Sequence, residues 1–171
     1  FTFPIEDYYK RVGFDFDKIP FSMLAHEYME DYQEKSYACD LHSDVLDVVN
    51  KAKNLGFSQT VLSASKMDYL LKQMETLHVD DLFDSIYGIN DIYAKSKVEL
   101  AHAFKQTCSL DDEIYFVGDS VHDYEVAKNI GAKCILVTTG HQNRATLESV
   151  NVPVMDSLME SLDLIYERDK D

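Results

Sequence analysis

Ile114-Tyr115-Phe116-Val117-Gly118-Asp119-Ser120-Val121-His122-Asp123 is the stretch on which the fold of this chain turns. Four consecutive apolar and aromatic residues that stop at Gly-Asp read as a strand buried on both faces, the pattern of a parallel sheet. A helix follows from about Asp123 to Asn129 and ends at Gly131. The strand therefore delivers the Asp119 carboxylate to the carboxyl edge of a sheet, where α/β proteins bind ligands, and Asp123 enters the same crevice from the start of the helix. Two carboxylates with no thiolate pair nearby suit a hard cation such as Mg²⁺. A turn aspartate followed by a first-turn acid accounts for the pair equally well, so the spacing alone leaves ligand and structural roles both open.

The alternation extends outward from this stretch. Cys134-Ile135-Leu136-Val137 is a second continuously apolar strand, and an amphipathic helix lies near residues 158 to 166. Upstream, Ser43-Asp44 can cap a helix carrying Val45, Leu46, Val48, Val49, Ala52 and Leu55 and ended by Gly56. Thr60-Val61-Leu62-Ser63 reads as a short buried strand before a helix from about Met67 to Leu77. Ser85-Ile86-Tyr87-Gly88 is a weaker strand, and Val98 to about Gln106 a further helix. Four strands alternating with helices predict an α/β fold, a parallel sheet with helices on both faces. From Pro4 to about Cys39 the pattern is purely helical and rich in aromatic residues: Ile5, Tyr8, Tyr9 and Val12 recur at helical spacing, as do Phe21, Leu24, Ala25, Tyr28, Met29 and Tyr32.

Composition narrows the function. The 171 residues are 46% hydrophobic and 27% charged, an ordinary globular balance. Sixteen Lys and Arg against 31 Asp and Glu leave a formal charge of −15, which repels nucleic acid and anionic membranes, so neither is an expected partner. No apolar run approaches the ~20 residues of a membrane-spanning helix. Cys39, Cys108 and Cys134 are an odd number without metal-ligand spacing and read as reduced thiols of a cytoplasmic protein. Phe1-Thr2-Phe3-Pro4 lacks an initiator Met and a targeting pattern, which raises the expectation that residues upstream are missing.

The run from the strand through Gly118-Asp119-Ser120-x-x-Asp123 to Ala127 and Gly131 resembles the fourth motif of the haloacid dehalogenase-like hydrolases, especially capped phosphatases of the phosphoglycolate phosphatase-like type. The resemblance implies a Rossmann-like core at residues 42–171 and part of a small helical cap at 1–41. It implies that Asp119 ligates Mg²⁺ and that Asp123 supports the metal and its waters. The family's second motif, a Ser or Thr that binds phosphate at the end of an apolar strand, falls on Ser63, with Ser65 a near rival. The third, a Lys near the start of the helix before the Gly-Asp strand, falls on Lys97, with Lys95 the alternative. Residues 41 to 56 also resemble the family's run after the cap, with His42-Ser43 where Pro-Gly is usual. Tyr8, Tyr9, Phe14, Phe16, Phe21 and Tyr28 are expected to form cap core.

The first motif of that family, a strand ending in Asp-x-Asp, has no acceptable match. Asp15-Phe16-Asp17 is preceded by no buried strand and followed by Lys18-Ile19-Pro20, so a turn between helices explains it better. Without the first strand, two neighbouring strands would each leave a row of backbone groups unpaired. The expectation is a Mg²⁺-dependent phosphatase acting on a small phosphorylated metabolite through an aspartyl phosphate, its nucleophile upstream of residue 1. The alternative is an inactive pseudo-phosphatase or phosphate- and metal-binding module. Gly118-Asp119-Ser120 also resembles the nucleophile block of Gly-Asp-Ser esterases, but no Asp-x-x-His follows to activate Ser120. Substrate identity and oligomeric state are not legible.

Overall fold

The computed structural model describes residues 5–89 and 96–170. They belong to two compact units, Phe1–Asp40 and Leu41–Asp171. The boundary precedes the expected one by a residue, because Leu41 packs with Leu70, Met74 and Val79 of the second unit.

In the first unit, helices α1 (Ile5–Arg11) and α2 (Phe21–Ser36) flank a turn. Glu6 and Asp7 open α1 and Lys10 and Arg11 close it, a charge order that complements the helix dipole. Tyr9 meets Phe14 at 5.0 Å and Phe21 at 6.0 Å, and Phe16 meets Phe21 at 5.5 Å, all edge-on. Tyr28 and Phe14 depart from the expected core: Tyr28 stacks on Tyr32 one helical turn away and is 51% exposed, and Phe14 is 40% exposed. Asp15-Phe16-Asp17 forms the turn, with Asp17 N–H donating to Asp15 Oδ1 at 3.1 Å and Lys18 paired with Asp15 at 3.0 Å.

The second unit runs α3 (Val45–Asn54), β1 (Thr60–Lys66), α4 (Met67–Thr76), a 3₁₀ turn (Asp80–Leu82), β2 (Ser85–Ile89), α5 (Lys97–Thr107), β3 (Tyr115–Gly118), α6 (Val121–Ile130), β4 (Lys133–Val137), α7 (Arg144–Glu148), β5 (Val154–Met155) and α8 (Leu158–Arg168). Each strand pairing is parallel, as an alternation of strands with crossover helices requires. Two elements escaped the sequence reading: β5 has only two residues and α7 five, too few to show a period. The strands form two sheets, β1-β2 and β3-β4-β5, rather than one. A cavity of about 570 Å³ is lined by Thr60 and Leu62 of β1 and by Tyr115, Phe116 and Val117 of β3.

The core sits on the helices that cover these strands. Cys134 and Leu136 of β4 pack with Ala127 of α6 and Leu147 of α7, while the alternating Ile135 and Val137 are also buried, so both faces of β4 are covered. A second cluster joins Ala101 of α5 to Val126 and Ile130 of α6, with Leu62 of β1 and Phe116 of β3 packed against it. Phe116 thus contributes to both clusters. The Asp44 carboxylate, expected to cap its own helix, instead accepts hydrogen bonds from Leu158 and Met159 N–H at 3.0 and 3.3 Å and caps α8. The helix dipole of α8 favours a carboxylate there as strongly as α3 would. Among the described residues, no helix is long and apolar enough to cross a membrane.

Candidate active site

Strand β3 ends at Gly118, and the next two residues carry the chain into α6. Ser120 caps that helix: its Oγ accepts from Asp123 N–H at 3.3 Å, its own N–H donates back to Asp123 Oδ2 to complete a capping box, and its hydroxyl donates to the same oxygen at 2.7 Å. The same carboxylate oxygen accepts from the N–H groups of Asp119 and Ser120, both at 3.1 Å. The other oxygen, Oδ1, accepts from Lys97 Nζ at 2.5 Å. Asp123 is consequently buried and committed, a charge whose desolvation is offset by an ammonium and three further donors. Gly118 permits this: a Cβ at that position would lie 2.3 Å from Asp123 Cβ and 2.7 Å from Oδ2.

Lys97 is the first residue of α5, directly after its N-cap Ser96. Its ammonium lies 5.5 Å from the centre of the Phe116 ring, which adds a cation–π contact to the ion pair. It also lines the cavity beside β1 and β3. Lys95, the alternative motif lysine, falls outside the described residues.

Asp119 behaves differently from Asp123. It is partly exposed and faces a second cavity, of about 460 Å³, at the carboxyl ends of β3 and β4, lined by Gly118, Val137, Thr139, Gly140 and His141 among others. His141 holds it by Oδ2, with the backbone N–H at 2.9 Å and ring Nδ1 at 3.1 Å. Burial opposes its ionisation, but the His141 hydrogen bonds and ring charge outweigh it and hold the carboxyl below its ordinary value. Asp119 is therefore an ionised oxygen donor at the sheet edge.

The structure thus brings Lys97, Asp119 and Asp123 together at the end of β3. Ser63 sits at the middle of β1 and not at its end as expected, because the strand runs on to Lys66; the register with β2 shifts between Leu62 and Lys66, and Ser63 Oγ accepts from Ser65 N–H at 3.1 Å. Among the described residues, no hydrogen bond joins Ser63 to the other three. In the sequence, His141 figures only as the histidine of an Asp-x-x-His quartet, which Thr138 in the Asp position rules out, and neither Gly140 nor Gln142 is singled out. The available signal was their place immediately after the strongest apolar strand, since neighbouring parallel strands end at one edge.

The donor set suits Mg²⁺ rather than a metal held in an all-protein cage. Among the described residues, no three His, Cys, Asp or Glu side chains gather around one point. Mg²⁺ asks for little more than one or two carboxylates, keeping waters and phosphate oxygens for its other positions. Asp119 would hold it, and Asp123 would orient the Asp119 backbone from beneath.

The chain belongs to the haloacid dehalogenase-like hydrolase family, whose model matches residues 1–137. Its fold is similar to that of a haloacid dehalogenase-like family hydrolase from Streptococcus pneumoniae, with a TM-score of 0.80 and 20% identity over 91% of this chain and 73% of that one. A predicted phosphatase from Clostridium acetobutylicum gives 0.78 and 20% identity, covering 95% and 76%. A predicted phosphoglycolate phosphatase from Haemophilus somnus gives 0.67 and 18%, covering 85% and 66%. No curated protein matches the sequence.

Proposed function

We propose that this chain belongs to a Mg²⁺-dependent phosphatase that hydrolyses a small phosphate monoester. The observation that carries the reading is the Lys97–Asp123–Asp119 cluster at the carboxyl end of β3, in which the buried Asp123 carboxylate accepts from both the Lys97 ammonium and the Asp119 N–H in a hydrolase-family fold. Solved structures of similar fold that are described as phosphatases support the same class.

In this reading a carboxylate from outside residues 1–171 attacks phosphorus, the ester oxygen departs and takes up a proton, and water hydrolyses the aspartyl phosphate to release inorganic phosphate. The cavity between β1 and β3 supports a position for the strand that carries it, because both flanking strands present a backbone edge there. Mg²⁺, when bound, neutralises charge on the phosphoryl oxygens. Lys97 supplies a second positive charge, and the Ser63 hydroxyl donates to a phosphoryl oxygen. Residues 41–171 form the catalytic core, and residues 1–40 part of a helical cap. A reducing cytoplasm suits Cys39, Cys108 and Cys134, none of which forms a disulfide.

The test is hydrolysis of a generic aryl phosphate, with and without Mg²⁺, by residues 1–171, by the full natural protein and by its Asp119→Asn variant. Metal-dependent turnover by the full protein that falls by at least about 100-fold in the variant is the expected result. Turnover by residues 1–171 alone would move the nucleophile into this chain, and silence from all three would favour a binding module.

A further inference from the structure

The turn after β4 does more than lead to α7. Its residues Thr138 to Gln142 run beside the loop that carries Asp119, and hydrogen bonds tie the two together at both ends. His141 engages Asp119 Oδ2 through its backbone N–H and its ring, and Val121 N–H at the start of α6 donates to Gln142 Oε1 at 2.8 Å. Just before these contacts, Gly140 approaches Asp119 so closely that a Cβ there would lie 2.0 Å from Oδ2, 2.2 Å from Cβ and 2.4 Å from Cγ. The obstructing atoms include the root of a short side chain, which cannot swing aside as the tip of a lysine could. Gly140 is thus required for space.

The turn is itself anchored. Thr138 N–H donates to Met155 O at 3.0 Å, extending the β4–β5 pairing, and Thr138 Oγ1 donates to Asp156 Oδ1 at 3.0 Å. Asp156 Oδ1 also accepts from the Arg144 guanidinium at 2.5 Å. A turn fixed at its base and packed against Asp119 at its tip sets that side chain's torsions from outside its own loop.

We propose that the 138–142 turn is a clamp that sets the orientation of the Asp119 carboxylate for cation binding, with Gly140 and Gln142 as positioning residues. The proposal rests on the reading of Asp119 as a metal ligand. Gly140 gives the carboxylate its place, the His141 N–H holds one of its oxygens, and Gln142 locks the start of α6 to the same turn. Displacing a group that orients a metal ligand costs about 10–100-fold in metal affinity.

Calorimetric titration of the full natural protein with Mg²⁺, beside thermal melting in metal-free buffer, tests this on four proteins: unsubstituted, Asp119→Asn, Gly140→Ala and Gln142→Ala. The expected result is binding by the unsubstituted protein, none by Asp119→Asn, affinity about 10–100-fold weaker for Gly140→Ala and a few-fold weaker for Gln142→Ala. A purely structural role would lower the metal-free melting temperature and leave the Mg²⁺ Kd unmoved. A folded Gly140→Ala with unchanged Kd, or an unfolded one beside a Gln142→Ala that binds normally, overturns the clamp while the Asp119 reading stands. If the unsubstituted protein does not bind Mg²⁺, the Asp119 reading falls and the clamp with it.

Discussion

Asp123 is 3% exposed and accepts hydrogen bonds from Lys97, Ser120 and two backbone N–H groups, so removing the Lys97 ammonium leaves a carboxylate buried without its countercharge. Lys97→Met should cost about 3 kcal/mol in urea unfolding, the lower end for a broken buried pair because the Lys97 side chain keeps 17% of its exposure. A Lys97→Met, Asp123→Leu double variant should recover part of that loss, since the orphaned charge is gone. At Asp119 the sign runs with acid. Its folded-state carboxyl titrates below the ordinary value of 3.8, so the His141 contact stabilises the metal-free fold above that pH, and the contribution disappears as pH falls through the lowered value. Urea midpoints followed from neutral pH to acid should fall less steeply for Asp119→Asn across that window. The residue types and spacing of Asp119 and Asp123 were legible in sequence. Which of the two Lys97 pairs with was not, because that contact joins different elements 26 positions apart.

The helices that present these side chains have caps whose contributions can be separated from the chemistry. Ser120→Ala removes the hydroxyl half of the α6 capping box and one donor to Asp123, leaving the Ser120 N–H half in place, and should destabilise by about 1–2 kcal/mol in chemical denaturation. Gly131 ends the same helix at φ 69°, a left-handed conformation that favours glycine, so Gly131→Ala should cost about 1 kcal/mol while leaving Mg²⁺ affinity unchanged. Gly131 and the apolar strand runs were readable because glycine punctuation and continuous hydrophobicity are local properties. The destination of the Asp44 carboxylate was not readable, since its partner helix begins 114 residues later.

Across the whole second unit, stability concentrates where β4 meets α6 and α7. Leu136 is fully buried there, and Leu136→Ala should cost about 2–5 kcal/mol through lost contacts and the cavity left behind. Cys134 reports on the same region: burial, aided by the Asp123 charge, pushes its thiol up to about 12, whereas Cys39 is exposed. Iodoacetamide at about pH 8 should label Cys39 in the native protein and reach Cys134 only on unfolding, which peptide mass spectrometry would resolve. The alternation of strands with helices made the α/β class readable. The split into two sheets was raised only through the unmatched first motif, because pairing is a relation between segments and not a property of either.

Residue types and their periods along the chain determined the alternation of four strands with helices, which carboxylates stand at a strand end, and the net charge of −15. These are matters of nearest-neighbour sterics, burial and net charge. Tertiary structure alone decided that Lys97 pairs with Asp123, that His141 holds Asp119, and that Gly118 and Gly140 make room for one carboxylate each. Those contacts join residues on different elements at distances of a few ångströms, and only the packing of helices on the sheet brings such residues within reach.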